Sequence, residues 1–130
     1  MSNGDFAFTK LIVGDLDRSA AFYRDVFGLT EQARIDATVT GRPICEIILA
    51  SPSPTSVATL VLFAFLDQPK PAAAEVILGF YTTDLAALVD RALTAGGEVV
   101  QPIESMPQHG VKVAFIKDVE GHLIEALERL

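Results

Sequence analysis

Three charged side chains stand where the surrounding pattern calls for apolar ones. The run Ile44-Cys45-Glu46-Ile47-Ile48-Leu49-Ala50 is apolar on both alternating faces, as a strand covered on both sides must be. Glu46 interrupts it on the face of Ile44 and Ile48. Leu123-Ile124-Glu125-Ala126-Leu127 repeats the anomaly, with Glu125 on the face of Leu123 and Leu127. A carboxylate buried alone is costly, so each Glu needs a partner, a proton or a cavity, or else an open sheet face that reaches water. A desolvated carboxylate also suits a general base. Lys10 is the third anomaly. Phe6, Phe8, Lys10 and Ile12 alternate with Leu11 and Val13, so Lys10 lies on an apolar face. There it can neutralise Glu46 or Glu125, or snorkel to water from near an edge.

Two histidines add little to this set. His109, in Met106-Pro107-Gln108-His109-Gly110, carries an imidazole and can serve as a base, a ligand contact or a solvated loop residue. His122 has the opposite parity to Glu125 and reads as structural. Cys45, next to Glu46, faces the other side and reads as a buried, inert thiol. No nucleophile elbow, H-E-x-x-H helix or Gly-rich phosphate loop is present.

The elements that must position these residues form a duplication. Asp15-Leu16 aligns with Asp84-Leu85 at an offset of 69, and Leu16, Ala20, Tyr23 and Gly28 then fall on Leu85, Val89, Ala92 and Gly97. In the first half, Phe6 to Val13 is a strand. Asp15 or Asp17 caps a helix whose stripe is Leu16, Ala20, Tyr23 and Phe27, and Gly28 ends it. Thr30 to Val39, Ile44 to Ala50 and Val57 to Phe65 are further strands, with turns at Thr40-Gly41 and Ser51-Pro52-Ser53-Pro54.

In the second half, Val76 to Thr82, Glu98 to Ile103, Val111 to Ile116 and His122 to Leu127 are strands. Asp84 caps the helix, Gly96-Gly97 stops it, and residues 104–110 form a loop. The fold class is α+β: two βαβββ modules, 5–66 and 75–130, joined by a linker at 67–74, with mixed sheets curled around a shared cavity. By the same offset Lys10 corresponds to Gly79 and Ile12 to Tyr81. Independently of it, the two Glu read as occupying equivalent places in their halves.

Composition narrows the function. The chain has 130 residues, is half hydrophobic, and carries a net charge of -7. That is a folded domain rather than a disordered chain. An acidic chain without a basic run is a poor partner for nucleic acid or anionic membrane. One Cys excludes an internal disulfide framework. The longest apolar run, Val57 to Leu66, is far short of the ~20 residues of a membrane span. The short polar start has no leader-like pattern, so the expected compartment is the cytoplasm.

The paired βαβββ halves resemble the vicinal-oxygen-chelate superfamily, which includes glyoxalase I, bleomycin-resistance proteins, fosfomycin-resistance enzymes and extradiol dioxygenases. The resemblance is carried by Leu11-Ile12-Val13-Gly14-Asp15-Leu16-Asp17-Arg18-Ser19-Ala20-Ala21-Phe22-Tyr23 with Phe27-Gly28-Leu29. It is carried again by Phe115-Ile116-Lys117-Asp118-Val119-Glu120-Gly121-His122-Leu123-Ile124-Glu125. Metal-dependent members hold one divalent cation with four side chains, which by position fall on Phe8, Glu46, Ile77 and Glu125. Phe8 and Ile77 cannot ligate. Glu46 and Glu125 alone could hold only a weak Mg²⁺ or Ca²⁺ with waters.

Three functions fit. The first is binding of a small organic molecule in a cavity lined by Phe8, Lys10, Ile12, Ile77, Tyr81 and His109, without the full metal-ligand set and with no confident cofactor. The second is a lyase or isomerase of the glyoxalase or epimerase type, with Glu46 or Glu125 abstracting a proton next to a carbonyl; a dioxygenase is the weaker enzyme reading. The third is a partner domain without a ligand. The resemblance also implies a homodimer.

Overall fold

A computed structural model describes residues 3–4, 6–52, 59–72 and 75–130. The chain divides into two compact units, Met1–Pro71 and Ala72–Leu130. Unit 1 contains β1 (Phe8–Ile12), α1 (Leu16–Phe27), β2 (Thr30–Val39), β3 (Arg42–Ala50) and β4 (Thr59–Phe65). Unit 2 contains β5 (Ile77–Tyr81), α2 (Leu85–Thr94), β6 (Glu98–Met106), β7 (Val111–Lys117) and β8 (Leu123–Arg129), with a single 3₁₀ turn at Pro107–His109. The sheet orders are β1-β4-β3-β2 and β5-β8-β7-β6. In each sheet the first and last strands of the unit run parallel and the other pairs run antiparallel. The α+β class and the repeated βαβββ order agree with the sequence reading. Neither sheet closes on itself.

Each helix begins in the same way. The Asp15 carboxylate accepts the Arg18 N–H at 3.0 Å, and the Asp84 carboxylate accepts the Ala87 N–H at 3.1 Å, satisfying a donor that has no partner within the helix. Gly28 closes α1 in the left-handed region, at φ 70°. In α2 that role falls on Gly96, at φ 94°, so α2 stops earlier than α1. The stripe of α1 is rotated from the expected one. Phe22, Tyr23 and Val26 are its buried large residues, while Leu16 and Phe27 are only partly covered. Tyr23 still stacks on Phe27 at 5.9 Å and meets Phe22 edge to face at 5.3 Å.

The helix side of sheet 1 presents Leu11, Val13, Ile47, Leu49, Leu60 and Leu62, all buried. That of sheet 2 presents Ala114, Ile116, Ile124 and Ala126, each fully buried. These two apolar layers, one per unit, are what α1 and α2 cover.

Strand ends differ from expectation by one or two residues in most strands, and by more in β6. β1 starts at Phe8 rather than Phe6. β6 continues to Met106, because Glu104, Ser105 and Met106 pair with Val113, Lys112 and Val111. A register shift between Gln101 and Glu104 accommodates Pro102, which has no N–H to give the ladder. β8 runs from Leu123 to Arg129 instead of from His122 to Leu127. Of the expected β4, Val57 and Ala58 lie outside the described residues, as do Ser53 and Pro54 of the preceding turn and Ala73 and Ala74 of the linker.

The β7–β8 turn is built on a buried pair. Asp118 Oδ1 accepts the N–H groups of Glu120 and His122 at 2.9 and 3.0 Å, and Asp118 Oδ2 lies 2.8 Å from His122 Nδ1. Replacing Asp118 by Ala strands these donors in the interior. We expect Asp118→Ala to lower unfolding free energy by about 3 kcal/mol in urea titrations.

Glu128 gives a second expectation. Its carboxylate accepts the Leu85 N–H at 2.7 Å, at the start of α2, and faces the Lys112 ammonium at 3.3 Å. The first of these, then the second, hold its pKa below the ordinary 4.5. A carboxylate depressed on folding contributes stability above its unfolded pKa and loses it as pH falls through the folded value. The stability gap between the parent and Glu128→Gln should therefore be full near pH 7 and shrink below about pH 4.5, read from urea midpoints across that range.

Candidate functional site

The faces turned away from the helices carry the anomalous residues. In unit 1 the register sets Phe8, Lys10 and Ile12 beside Thr59, Val61 and Phe63, and Glu46 beside Phe63 and Ile35. Lys10 Nζ lies 2.9 Å from Glu46 Oε2. The same ammonium stands 4.8 Å from the centre of the Phe63 ring and 5.7 Å from that of Phe8. Two strands therefore contribute a cation and an anion above a floor of aromatic rings, where ring quadrupole and carboxylate both hold the ammonium. Of the two carboxylates open to Lys10 in sequence, Glu46 is its partner. Glu46 is largely covered, at 12% side-chain exposure, and the Lys10 ammonium is its partner there.

A second clamp lies farther along the same face. Arg42 stacks on the Phe65 ring, 3.7 Å from its centre, and reaches Asp67 with both Nε and Nη2. This fork raises the Arg42 pKa and lowers that of Asp67, each because of the hydrogen bonds between them. It ties the start of β3 to the segment after β4. Neither Arg42 nor Asp67 stood out in the sequence. A pair so far apart in the chain leaves no local signal.

In unit 2 the corresponding face is built from Ile77, Gly79 and Tyr81 of β5, Leu123, Glu125 and Leu127 of β8, and Phe115 and Val113 of β7. Glu125 sits on an inner strand between Gly79 and Phe115. Ile124 and Ala126 on either side of it point into the core, so Glu125 is on the helix-free face. It is partly covered, and among the described residues it makes no hydrogen bond or ion pair. Space for a side chain at Gly79 is open, with nothing within 4 Å of where a Cβ would stand. Tyr81 carries Arg129 over its ring at 4.0 Å. Ile77 and Tyr81 are 59% and 58% exposed.

These registers correct one expectation. Glu46 and Glu125 are not repeat equivalents. Glu125 pairs with Gly79, the counterpart of Lys10, and Lys10 pairs with Val61. The position matching Glu125 in unit 1 is therefore Val61, on the last strand, whereas Glu46 is on the third. By the same path Glu46 matches Val113, since Phe63 and Leu127 are its and Val113's neighbours. The offset of 69 holds on β1 and β5 but is 64 from Val61 to Glu125. Part of the difference is the connection between β3 and β4, residues 51–58, which is longer than the β7–β8 turn.

The consequence for a metal is direct. The repeat-related quartet is Phe8, Val61, Ile77 and Glu125, with a single ligating side chain. Among the described residues no three His, Cys, Asp or Glu gather as a ligand group. This donor set does not fit a divalent cation held by four side chains.

The remaining candidates have these settings. His109 ends the exposed 3₁₀ turn before β7. His122 is 7% exposed and bound to Asp118, a structural arrangement. Burial first, and the Asp36 carboxylate second, push the Cys45 thiol up, away from thiolate. A small cleft of about 120 Å³ at the end of β1 is lined by Ile12, Gly14, Phe65, Gln68 and Lys70. It is well below the ~300 Å³ at which pockets for organic ligands begin.

The family model described as Glyoxalase/Bleomycin resistance protein/Dioxygenase superfamily matches residues 6–126. A probable lactoylglutathione lyase of Vibrio parahaemolyticus is 25% identical over 144 residues, covering 98% of this chain and 93% of its own. One from Vibrio cholerae is 29% identical over 133 residues, with the same coverage. Among solved structures, a glyoxalase family protein from Bacillus cereus superposes with a TM-score of 0.84 at 18% identity, over 100% of this chain and 99% of its own. A glyoxalase I mutant from Zea mays gives 0.73 at 20%, over 94% of this chain and 45% of its own.

Purified without chelator, the protein should hold well under one Ni²⁺, Zn²⁺ or Mn²⁺ per chain by elemental analysis. Glu46→Gln should leave that figure unchanged. Stoichiometric metal lost in Glu46→Gln would contradict the register-based assignment.

Proposed function

Because the chain belongs to the Glyoxalase/Bleomycin resistance protein/Dioxygenase superfamily, we propose that it binds a small organic molecule and does not assemble the four-ligand chelate. One observation carries this reading: three of the four repeat-related positions are Phe8, Val61 and Ile77, none of which has a lone pair to give a metal, and Phe8 and Ile77 are exposed apolar surface. Exposed apolar and aromatic groups beside a few charged ones are the usual make-up of a site for organic ligands. In unit 1, Phe8 supplies contact area beside the fixed dipole of Lys10 with Glu46. In unit 2, Ile77 and Tyr81 supply it, and Tyr81, held under Arg129, adds a hydroxyl. Members of this superfamily commonly pair as dimers, and a homodimer acting in the cytoplasm is part of the same reading.

A second reading is favoured by the names of the Vibrio relatives, and it makes the chain a lyase with Glu125 as base. Proton abstraction next to a carbonyl requires a group that takes up the developing oxyanion charge. The ammonium that could serve, on Lys10, is already committed to Glu46 at 2.9 Å. The lyase reading therefore has a base without an electrophile.

The two readings separate in one pair of measurements. Calorimetric titration with metal-free bleomycin and with a panel of aromatic amines and acids should give saturable binding to at least one compound. A lactoylglutathione lyase assay, with and without added Ni²⁺ or Zn²⁺, should show no activity above the buffer rate. Metal-dependent turnover abolished by Glu125→Gln would replace the binding reading with the enzyme.

A further inference from the structure

We propose that Glu125 and the gap at Gly79 form an anchor for an organic ammonium group, so that the ligand of this chain is an amine with an apolar or aromatic body. The inference rests on the small-molecule reading and narrows it to a chemical class. Its first support is the state of Glu125 itself. The side chain is partly covered, on an inner strand, between Gly79 and Phe115, and makes no hydrogen bond or ion pair among the described residues. A carboxylate there can accept a charge-assisted hydrogen bond from a ligand without giving up a partner in the chain.

The second support is the space beside it. Directly across the β5–β8 pair, Gly79 presents no side chain, and nothing lies within 4 Å of where its Cβ would be. The third is a partial precedent in unit 1. At the position matching Gly79 stands Lys10, whose ammonium lies over the Phe63 and Phe8 rings and rests at 2.9 Å on Glu46, a carboxylate of the neighbouring strand β3 rather than the counterpart of Glu125. Unit 2 has no lysine at that position and carries a carboxylate of its own, Glu125, with Phe115 and Tyr81 on the same face. A ligand ammonium at Gly79 would take the place of that missing side chain. It would meet Glu125 by a charge-assisted hydrogen bond, with its body over Ile77 and Tyr81, both largely exposed. The net charge of -7 favours the approach of a cation.

The test uses three probes of one shape and different charge: 4-phenylbutylamine, 4-phenylbutanol and 4-phenylbutyrate. Each is titrated into uniformly ¹⁵N-labelled full-length protein in EDTA, with amide shifts as the readout. The amine should bind saturably, moving the amides of Ile77, Gly79, Tyr81 and Glu125. It should bind about 10- to 100-fold more tightly than the alcohol, with the acid weakest. Glu125→Gln should bring the amine down to the level of the alcohol while leaving the alcohol unchanged. Gly79→Lys supplies the gap with the chain's own ammonium and should abolish the preference without unfolding the protein, as the free space allows.

Equal affinity of amine and alcohol, or a preference that survives Glu125→Gln, overturns the anchor and leaves small-molecule binding standing. Saturable shifts confined to residues away from Gly79 and Glu125 do the same. Failure of all three probes, together with failure of the calorimetric panel, overturns both.

Discussion

Everything else in this chain follows from one constraint: a single helix can cover only one face of a four-stranded sheet. In each unit α1 or α2 seals one face, and the residues under it are buried almost without exception. The price of that economy is a second face with no element of the same unit to cover it. What each unit places on that face is therefore under a different rule from its core. Ile124 and Ala126 have to be apolar and small enough to pack. Glu125 between them does not.

The two units resolve their second faces differently, and the difference is chemical. Unit 1 pairs its charges internally: Lys10 with Glu46 over Phe63 and Phe8, Arg42 with Asp67 over Phe65. Each cation is held by a carboxylate on one side and a ring on the other. In unit 2, Arg129 lies over Tyr81, and Glu125 is left facing the opening at Gly79. Duplicated modules begin identical, so a face that satisfies itself in one copy and stays open in the other marks where the copies have diverged in use. The helix caps, by contrast, are unchanged in kind. Asp15 and Asp84 accept the same N3 donor, because a helix start imposes the same requirement on both units.

The fold was legible because its signals are local. Asp-Leu at a helix start, Gly at its end and alternation in the strands depend on a few neighbouring residues each, and they recur at one offset. The site was legible only in part. Parity correctly put Lys10, Glu46 and Glu125 on helix-free faces, and Tyr81 and Gly79 were readable from the offset on β5. The match of Glu46 to Glu125 failed because Glu46 lies on the third strand of its unit and Glu125 on the last, so two similar apolar strands with a central Glu read alike without being the same strand. The offset of 69 does not survive to β4 and β8. Val61 carries no chemical signal, so nothing in its own neighbourhood marks it as the counterpart of Glu125. Arg42 with Asp67, and Lys112 with Glu128, are likewise products of register rather than of any local pattern.

That correction also bears on which chemistry the proposed site could support. With Glu46 and Glu125 taken as equivalents, half a chelate remains and a weak cation can be imagined between two carboxylates. With Val61 in place, three of four positions are hydrocarbon, and the one surviving carboxylate cannot hold a divalent ion by itself against water. A monovalent organic cation asks much less. It needs one carboxylate, a desolvated apolar surface for the rest of the molecule, and rings that tolerate positive charge. Those are the groups that Ile77, Tyr81 and Phe115 are suited to provide around Glu125. On the proposed reading, Phe, Val and Ile at three of the four positions would make burial rather than coordination the source of binding energy, and Glu125 the group that selects an amine.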